Sequence, residues 1–267
     1  MVTCKEYVKI KKEELKNQIE TLGIKPTLCV VQISEDPASC TYIKGKSMDC
    51  EELEITCKHI HITDVDGNDN ESVQEIIRTA SNDDDISGII LQLPIPKKFD
   101  VQRLQKAISQ EKDVDGFLSE SEFIPCTPKG IIDYLKYNNI DFLGKECVVI
   151  GRSDIVGRPL VNLLISEGAT VISCNSKTPD IKKFTKNADI IISAIGRANY
   201  FDESYFVNNQ VIVDVGINRD ENGKLCGDIV ESAKQNARLA TPVPGGVGLL
   251  TRLALMENTV NAALNSK

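Results

Sequence analysis

Tyr42 and Lys46 stand four residues apart in a segment with helical character, from Ala38 to Leu53, so both side chains project from one helix face. A tyrosine beside a lysine can stack on a flat substrate while the amine moves protons. Gln92 closes an otherwise apolar run, immediately before Leu93-Pro94. Carboxyl ends of parallel strands are where ligands bind, and an amide placed there needs a hydrogen-bond partner. Asp113 and Asp115 lie in Lys-Asp-Val-Asp-Gly-Phe beside a flexible glycine. Taken singly, each of these residues has a structural alternative: a chance i, i+4 pair, a capped turn or an ion pair.

A second group of residues points to phosphate chemistry. A strand, Cys147–Ile150, runs into Gly151-Arg152-Ser153-Asp154-Ile155-Val156-Gly157-Arg158-Pro159, which is expected to open a helix at Pro159. Free backbone N–H groups and the positive end of a helix can hold a pyrophosphate there. Gly151 permits the tight turn and Gly157 the close approach of helix to strand, although the spacing is not that of the generic dinucleotide fingerprint. NAD-specific domains place an acidic residue at the end of the next strand; here Cys174 is followed by Asn175, Ser176 and Lys177. Ser176, Lys177 and Arg152 offer donors and charge for a 2′-phosphate, so NADP is favoured over NAD. Ser193-Ala194-Ile195-Gly196 and Asp214-Val215-Gly216-Ile217 also end apolar runs on glycine, as backbone lining a cofactor does.

The elements that must position these groups alternate. Helix 5–22, strand 27–33, helix 38–53, strand 56–62, helix 72–81, strand 86–93 and helix 101–109 describe a parallel sheet with covering helices. The stretch 113–127 breaks the rhythm as a domain crossing. Thr127 then caps a helix with Pro128 at its first position. Strands 146–150, 170–174, 189–194 and 211–215 follow, and a last helix runs from the Pro/Gly-rich stretch 241–248 to about Leu264, its apolar face expected to dock on the first domain. With 267 residues and 41% hydrophobic content, two modest domains are available. A net charge of −8 argues against nucleic acid. No apolar run reaches the roughly 18 residues of a membrane span, and Met1–Lys12 lacks the apolar core of a secretory signal. Nine cysteines without a C-x-x-C pair fit a reducing cytoplasm and no metal framework; His59 and His61 share one strand side but lack a third ligand.

Eight ordered motifs carry a resemblance over essentially the whole chain: 36–46, 88–96, 111–117, 125–131, 151–159, 188–196, 213–219 and 241–248. The chain resembles the bifunctional methylene-tetrahydrofolate dehydrogenase/methenyl-tetrahydrofolate cyclohydrolase family. The resemblance implies an α/β fold of two domains. One is a folate-binding catalytic domain with a parallel sheet (1–119, with helix 248–267 returning to it), and the other a Rossmann-type NAD(P)-binding domain (120–247). It implies that Lys46 is catalytic, that Tyr42 stacks on the folate, that Gln92 orients the lysine and that Asp115 grips the pterin. NADP is expected on Gly151, Arg152, Ser153, Ser176 and the backbone near Ile217, with tetrahydrofolate derivatives as partners and a homodimer formed through the nucleotide-binding domains.

Several positions depart from the family pattern. Leu249-Leu250 stand where Pro-Met is expected, which predicts a looser loop. Asn175 replaces a histidine, Ser34-Glu35 a glycine-containing turn, and Glu54 a helix-ending glycine. A shikimate- or amino-acid-dehydrogenase-like enzyme shares the two-domain layout but leaves Gln92 and KDVDGF unexplained. A retired dinucleotide-binding regulator would have no reason to keep Tyr42, Lys46, Gln92 and Asp115 together.

Overall fold

The computed structural model describes residues 1–33 and 37–265; Ser34, Glu35 and Asp36, which include the departure at Ser34-Glu35, lie outside the described residues. The chain forms two compact units. One comprises Ile10–Cys126 with Arg252–Lys267, the other Met1–Lys9 with Thr127–Thr251.

The chain opens with α1 (Cys4–Leu22), β1 (Thr27–Gln32), α2 (Pro37–Glu52), β2 (Thr56–His61), α3 (Asn70–Ser81), β3 (Gly88–Leu91) and α4 (Val101–Gln105). The three strands form a parallel sheet in the order β2-β1-β3. All six residues of β1 are buried, as expected of a central parallel strand covered on both faces. Its alternation splits the core in two. Leu28 and Val30 pack with Leu15, Ile19, Ile43 and Cys50, while Cys29 and Val31 pack with Val73, Ile77 and Leu104.

Several boundaries differ from those the sequence predicts, among them the end of α4 at Gln105 rather than Ser109, and two have clear local reasons. Helix α3 begins at Asn70 rather than Ser72, because Asp69 is its N-cap and accepts from the amides of Glu71 and Ser72 while Ser72 reciprocates. Strand β3 ends at Leu91, yet the Gln92 amide still donates to Val31 O at 2.8 Å, so Gln92 is held by β1 just past the strand.

The second unit contains α5 (Cys126–Tyr137, of which Cys126 clusters with the first unit), β4 (Glu146–Ile150), α6 (Gly157–Ser166), β5 (Thr170–Cys174), α7 (Lys182–Thr185), β6 (Ile190–Ser193), β7 (Val211–Asp214), a small hairpin of β8 (Asn218–Arg219) and β9 (Leu225–Cys226), and β10 (Leu239–Ala240). Its main sheet is parallel in the order β10-β7-β6-β4-β5. Connections from β4 run first to one side and then to the other, which makes the gap between the ends of β4 and β6 the switch point where such sheets bind ligands. Pro128 is the third residue of α5, not the first, and α6 starts at Gly157, two residues before Pro159. Both prolines remain in a first turn, where the missing N–H has no intrahelical acceptor to satisfy.

The last helix, α8 (Val247–Asn265), has its first turns in the second unit. From Arg252 onward it belongs to the first, where Ala254, Leu255, Met256, Val260 and Ala262 join the core around Leu28 and Val30. Among the described residues no helix is long and apolar enough to cross a membrane.

Candidate active site

Within the first unit the structure brings Lys46 and Gln92 into contact. Lys46 Nζ donates to Gln92 Oε1 at 3.0 Å, and Gln92 Nε2 donates to Leu93 O at 2.7 Å. The second bond fixes which end of the amide faces the lysine. Burial holds the Lys46 amine below the ordinary lysine value of 10.5, opposed by the charge of Asp115. Burial likewise raises the Asp115 carboxyl, with Lys46 pulling it down. Burial thus moves the two ionisations toward each other, while each half-buried group feels the other's charge. Tyr42, one helical turn before Lys46, leaves 38% of its surface exposed, as a stacking platform requires. Asp113 takes the structural role: its carboxylate accepts from the Leu118 amide at 2.8 Å and closes the turn that carries Asp115.

In the second unit the turn after β4 lies at the switch point. Gly151 adopts a φ of +122°, and a Cβ on it would come within 2.3 Å of Ala194 O, beyond the end of β6. Its amide donates to Cys174 O at 2.9 Å, which sets the exit of β5 beside the turn. A Cβ on Gly157 would lie 2.4 Å from Gly151 O, so the helix can start this close to the strand only with glycine. Ser153 Oγ accepts from the Gly157 amide at 3.3 Å. Arg152 and Ser153 are exposed on the turn, and Ser176 and Lys177 are exposed at the exit of β5. Asn175 orders that exit: its amide donates to Thr178 Oγ1 at 3.0 Å, and its Oδ1 accepts from the Lys177 amide at 3.0 Å. Ile217, 48% exposed, follows the end of β7. Open amides ahead of a helix, with serine hydroxyls and cationic side chains beside them, suit the phosphates of a dinucleotide.

Residues 2–115 match the catalytic domain of the tetrahydrofolate dehydrogenase/cyclohydrolase family, and residues 125–267 match that family's NAD(P)-binding domain. The chain belongs to the tetrahydrofolate dehydrogenase/cyclohydrolase family. It is 43% identical to the bifunctional protein FolD of Bacillus subtilis over 277 residues, covering 98% of this chain and 97% of that protein. The crystal structure of FolD from Campylobacter jejuni superposes with a TM-score of 0.93 at 39% identity, over 98% of this chain and 97% of that one. The Trypanosoma brucei enzyme, solved with NADP and an inhibitor, gives a TM-score of 0.93 at 26% identity, over 100% and 97%.

As a member of this family, the chain absorbs two further departures locally. Glu54 takes the left-handed conformation of a helix-ending glycine itself, at φ +58°, at a cost of roughly 1 kcal/mol. Leu249 and Leu250 form no loosened loop. They belong to the first turn of α8, where the Leu249 amide donates to Gly246 O at 2.9 Å, a bond a proline could not make, and Leu250 is fully buried.

Two clusters escaped the sequence reading. Asp49 on α2 joins Lys12 and Arg252 in a buried ion group. In the second unit, Asp228 is fully buried and accepts from Ser193 Oγ (2.9 Å), the amides of Ile195 (2.8 Å) and Arg197 (2.9 Å), and Asn218 Nδ2 (3.1 Å). Asp214 beside it accepts from the amides of Asp228 and Ile229 and pairs with Lys234 at 3.0 Å. The signal available in the sequence was a glycine beside each carboxylate. A Cβ on Gly216 would meet Asp228 at 2.3 Å, and one on Gly227 would meet Asp214 at 1.9 Å.

Proposed function

We propose that the chain oxidises 5,10-methylenetetrahydrofolate to the 5,10-methenyl form with NADP and then hydrolyses that product to 10-formyltetrahydrofolate, in one-carbon metabolism. The observation that carries this reading is the Lys46–Gln92 contact with Asp115 as charge partner, in a chain of this family. NADP supplies the hydride acceptor. Lys46, uncharged more readily than a free lysine, takes a proton as water adds to the methenyl carbon and returns one to the folate nitrogen released when the ring opens. Gln92 aims the amine, Asp115 holds the pterin through its ring N–H groups, and Tyr42 stacks on the folate.

In this reading folate is bound by the unit Ile10–Cys126 with Arg252–Lys267, and the dinucleotide by the unit containing Thr127–Thr251. The cofactor site is Gly151, Arg152, Ser153, Ser176 and the backbone at Ile217. The enzyme works as a homodimer in the cytoplasm, through its nucleotide-binding unit; light scattering at twice the chain mass is the expected result.

A spectrophotometric assay with methylenetetrahydrofolate and NADP or NAD tests the whole reading: methenyl absorbance should appear and then decay. No dinucleotide reduction with either cofactor would overturn it. Cofactor choice has its own test. Ser176→Asp sets a carboxylate against the 2′-phosphate and removes a donor, and a charge-assisted hydrogen bond contributes roughly 1.5–3 kcal/mol. The ratio of kcat/KM for NADP over NAD should fall by about tenfold or more. An unchanged ratio would remove Ser176 from the 2′-phosphate site.

A further inference from the structure

Asp49, Arg252 and Lys12 lie against the same face of α2 as Tyr42 and Lys46, since positions 42, 45, 46 and 49 share one side of a helix. The Asp49 side chain, 2% exposed, pairs with Lys12 Nζ at 2.6 Å and with Arg252 through Nε at 2.7 Å and Nη2 at 3.0 Å. Removing three charges from water is costly, and networks of this kind contribute little to stability. The helix also gives up stability to admit this one. Gly45 stands in the middle of α2, where a glycine costs about 1 kcal/mol relative to alanine, and a Cβ there would come within 2.2 Å of Arg252 Nη1. The guanidinium therefore occupies a notch in the helix one residue before Lys46. Its charge reaches both Tyr42 and Lys46.

We propose that Arg252 is a positioning residue for the Lys46 step: clamped by Asp49 in the notch at Gly45, it fixes the Tyr42–Lys46 face of α2 and sets a permanent positive charge on that face, one residue before the lysine. A like charge disfavours the ammonium form, so the guanidinium helps keep Lys46 able to accept a proton. The inference rests on Lys46 being the proton shuttle of hydrolysis. The other groups acting on Lys46 are Asp115 ahead of α5, Cys126 on α5 and Cys50 on α2, with Cys57 on β2 in turn feeling the lysine's charge. None of them is altered by a substitution at Arg252.

Arg252→Gln removes the charge and Arg252→Lys keeps it. In the glutamine variant the rising limb of the cyclohydrolase pH profile should move to higher pH, by on the order of 0.5 unit; in the lysine variant it should stay in place. Acetylation of Lys46 by acetic anhydride across the same pH range, read by peptide mass spectrometry, should shift in parallel and needs no turnover. A purely structural role would lower the rate without moving either midpoint. Unmoved midpoints in Arg252→Gln, with Lys46→Met inactive, would overturn the inference. Hydrolysis surviving in Lys46→Met would instead overturn the proton-shuttle reading, leaving acetylation to decide the role of Arg252. If Arg252→Gln melts early by circular dichroism, Arg252→Met carries the same measurement: it keeps the unbranched stem, removes the positive charge, and leaves Asp49 paired with Lys12.

Discussion

Lys46→Met is expected to lower methenyl-folate hydrolysis by about 10²–10⁴-fold, the usual contribution of a positioned general acid–base group, while folate affinity changes little. Methionine keeps the unbranched length of the lysine stem, so the packing around α2 survives, but it can neither take a proton nor donate to Gln92 Oε1 at 3.0 Å. Hydride transfer needs no proton from this residue and should persist, so methenyl absorbance would rise and fail to decay. In the wild type, hydrolysis should increase with pH along a limb centred below the ordinary lysine value of 10.5, because burial favours the neutral amine. The sign is fixed: the reactive form is the base, it gains population as pH rises, and a depressed pKa brings that gain to lower pH. Hydrolysis at near wild-type rate in Lys46→Met, or a limb absent below 10.5, would assign the proton transfers to another group.

What the sequence could and could not disclose divides along physical lines. Strand–helix alternation and glycines at strand ends made both parallel sheets legible, because buried parallel strands such as Thr27–Gln32 and Cys147–Ile150 read as apolar runs. The Tyr42–Lys46 spacing placed the two on one helix face, and the position of Gln92 at a strand end anticipated its need for a partner, which proved to be Lys46. The two-residue strand Leu239–Ala240 carried no periodicity to read. The Asp49–Arg252 pair joins residues 203 positions apart, a separation no local pattern reports. Gly45 was the visible trace of it: a glycine inside a helix, whose reason appears only when the guanidinium is in place.

Asp228→Asn is expected to unfold at markedly lower temperature and to weaken dinucleotide binding far more than folate binding. The substitution is isosteric, so packing is conserved and only hydrogen bonding changes. One carboxylate oxygen serves Ser193 Oγ and the Ile195 amide, the other the Arg197 amide and Asn218 Nδ2. An amide group can accept on one side only; its NH₂ must face donors on the other, whichever way it is turned. At least one part-buried backbone N–H then loses its acceptor, and the surviving bonds lose their charge assistance. Together these changes cost on the order of 3 kcal/mol, which for a chain of this size lowers Tm by roughly 6 °C or more. The local consequence is sharper, because Ile195 and Arg197 follow β6 at the switch point and Asn218 follows Ile217, in the segments proposed to line the cofactor. The backbone of Ile195 and Arg197 is held by this carboxylate rather than by a strand ladder, so losing it should raise KM for NADP by about tenfold or more at little change in folate affinity. A thermal melt and paired titrations of the two ligands check both parts. Equal loss of both affinities would mean that Asp228 supports the fold at large, and an unchanged Tm would mean that its donors find other acceptors.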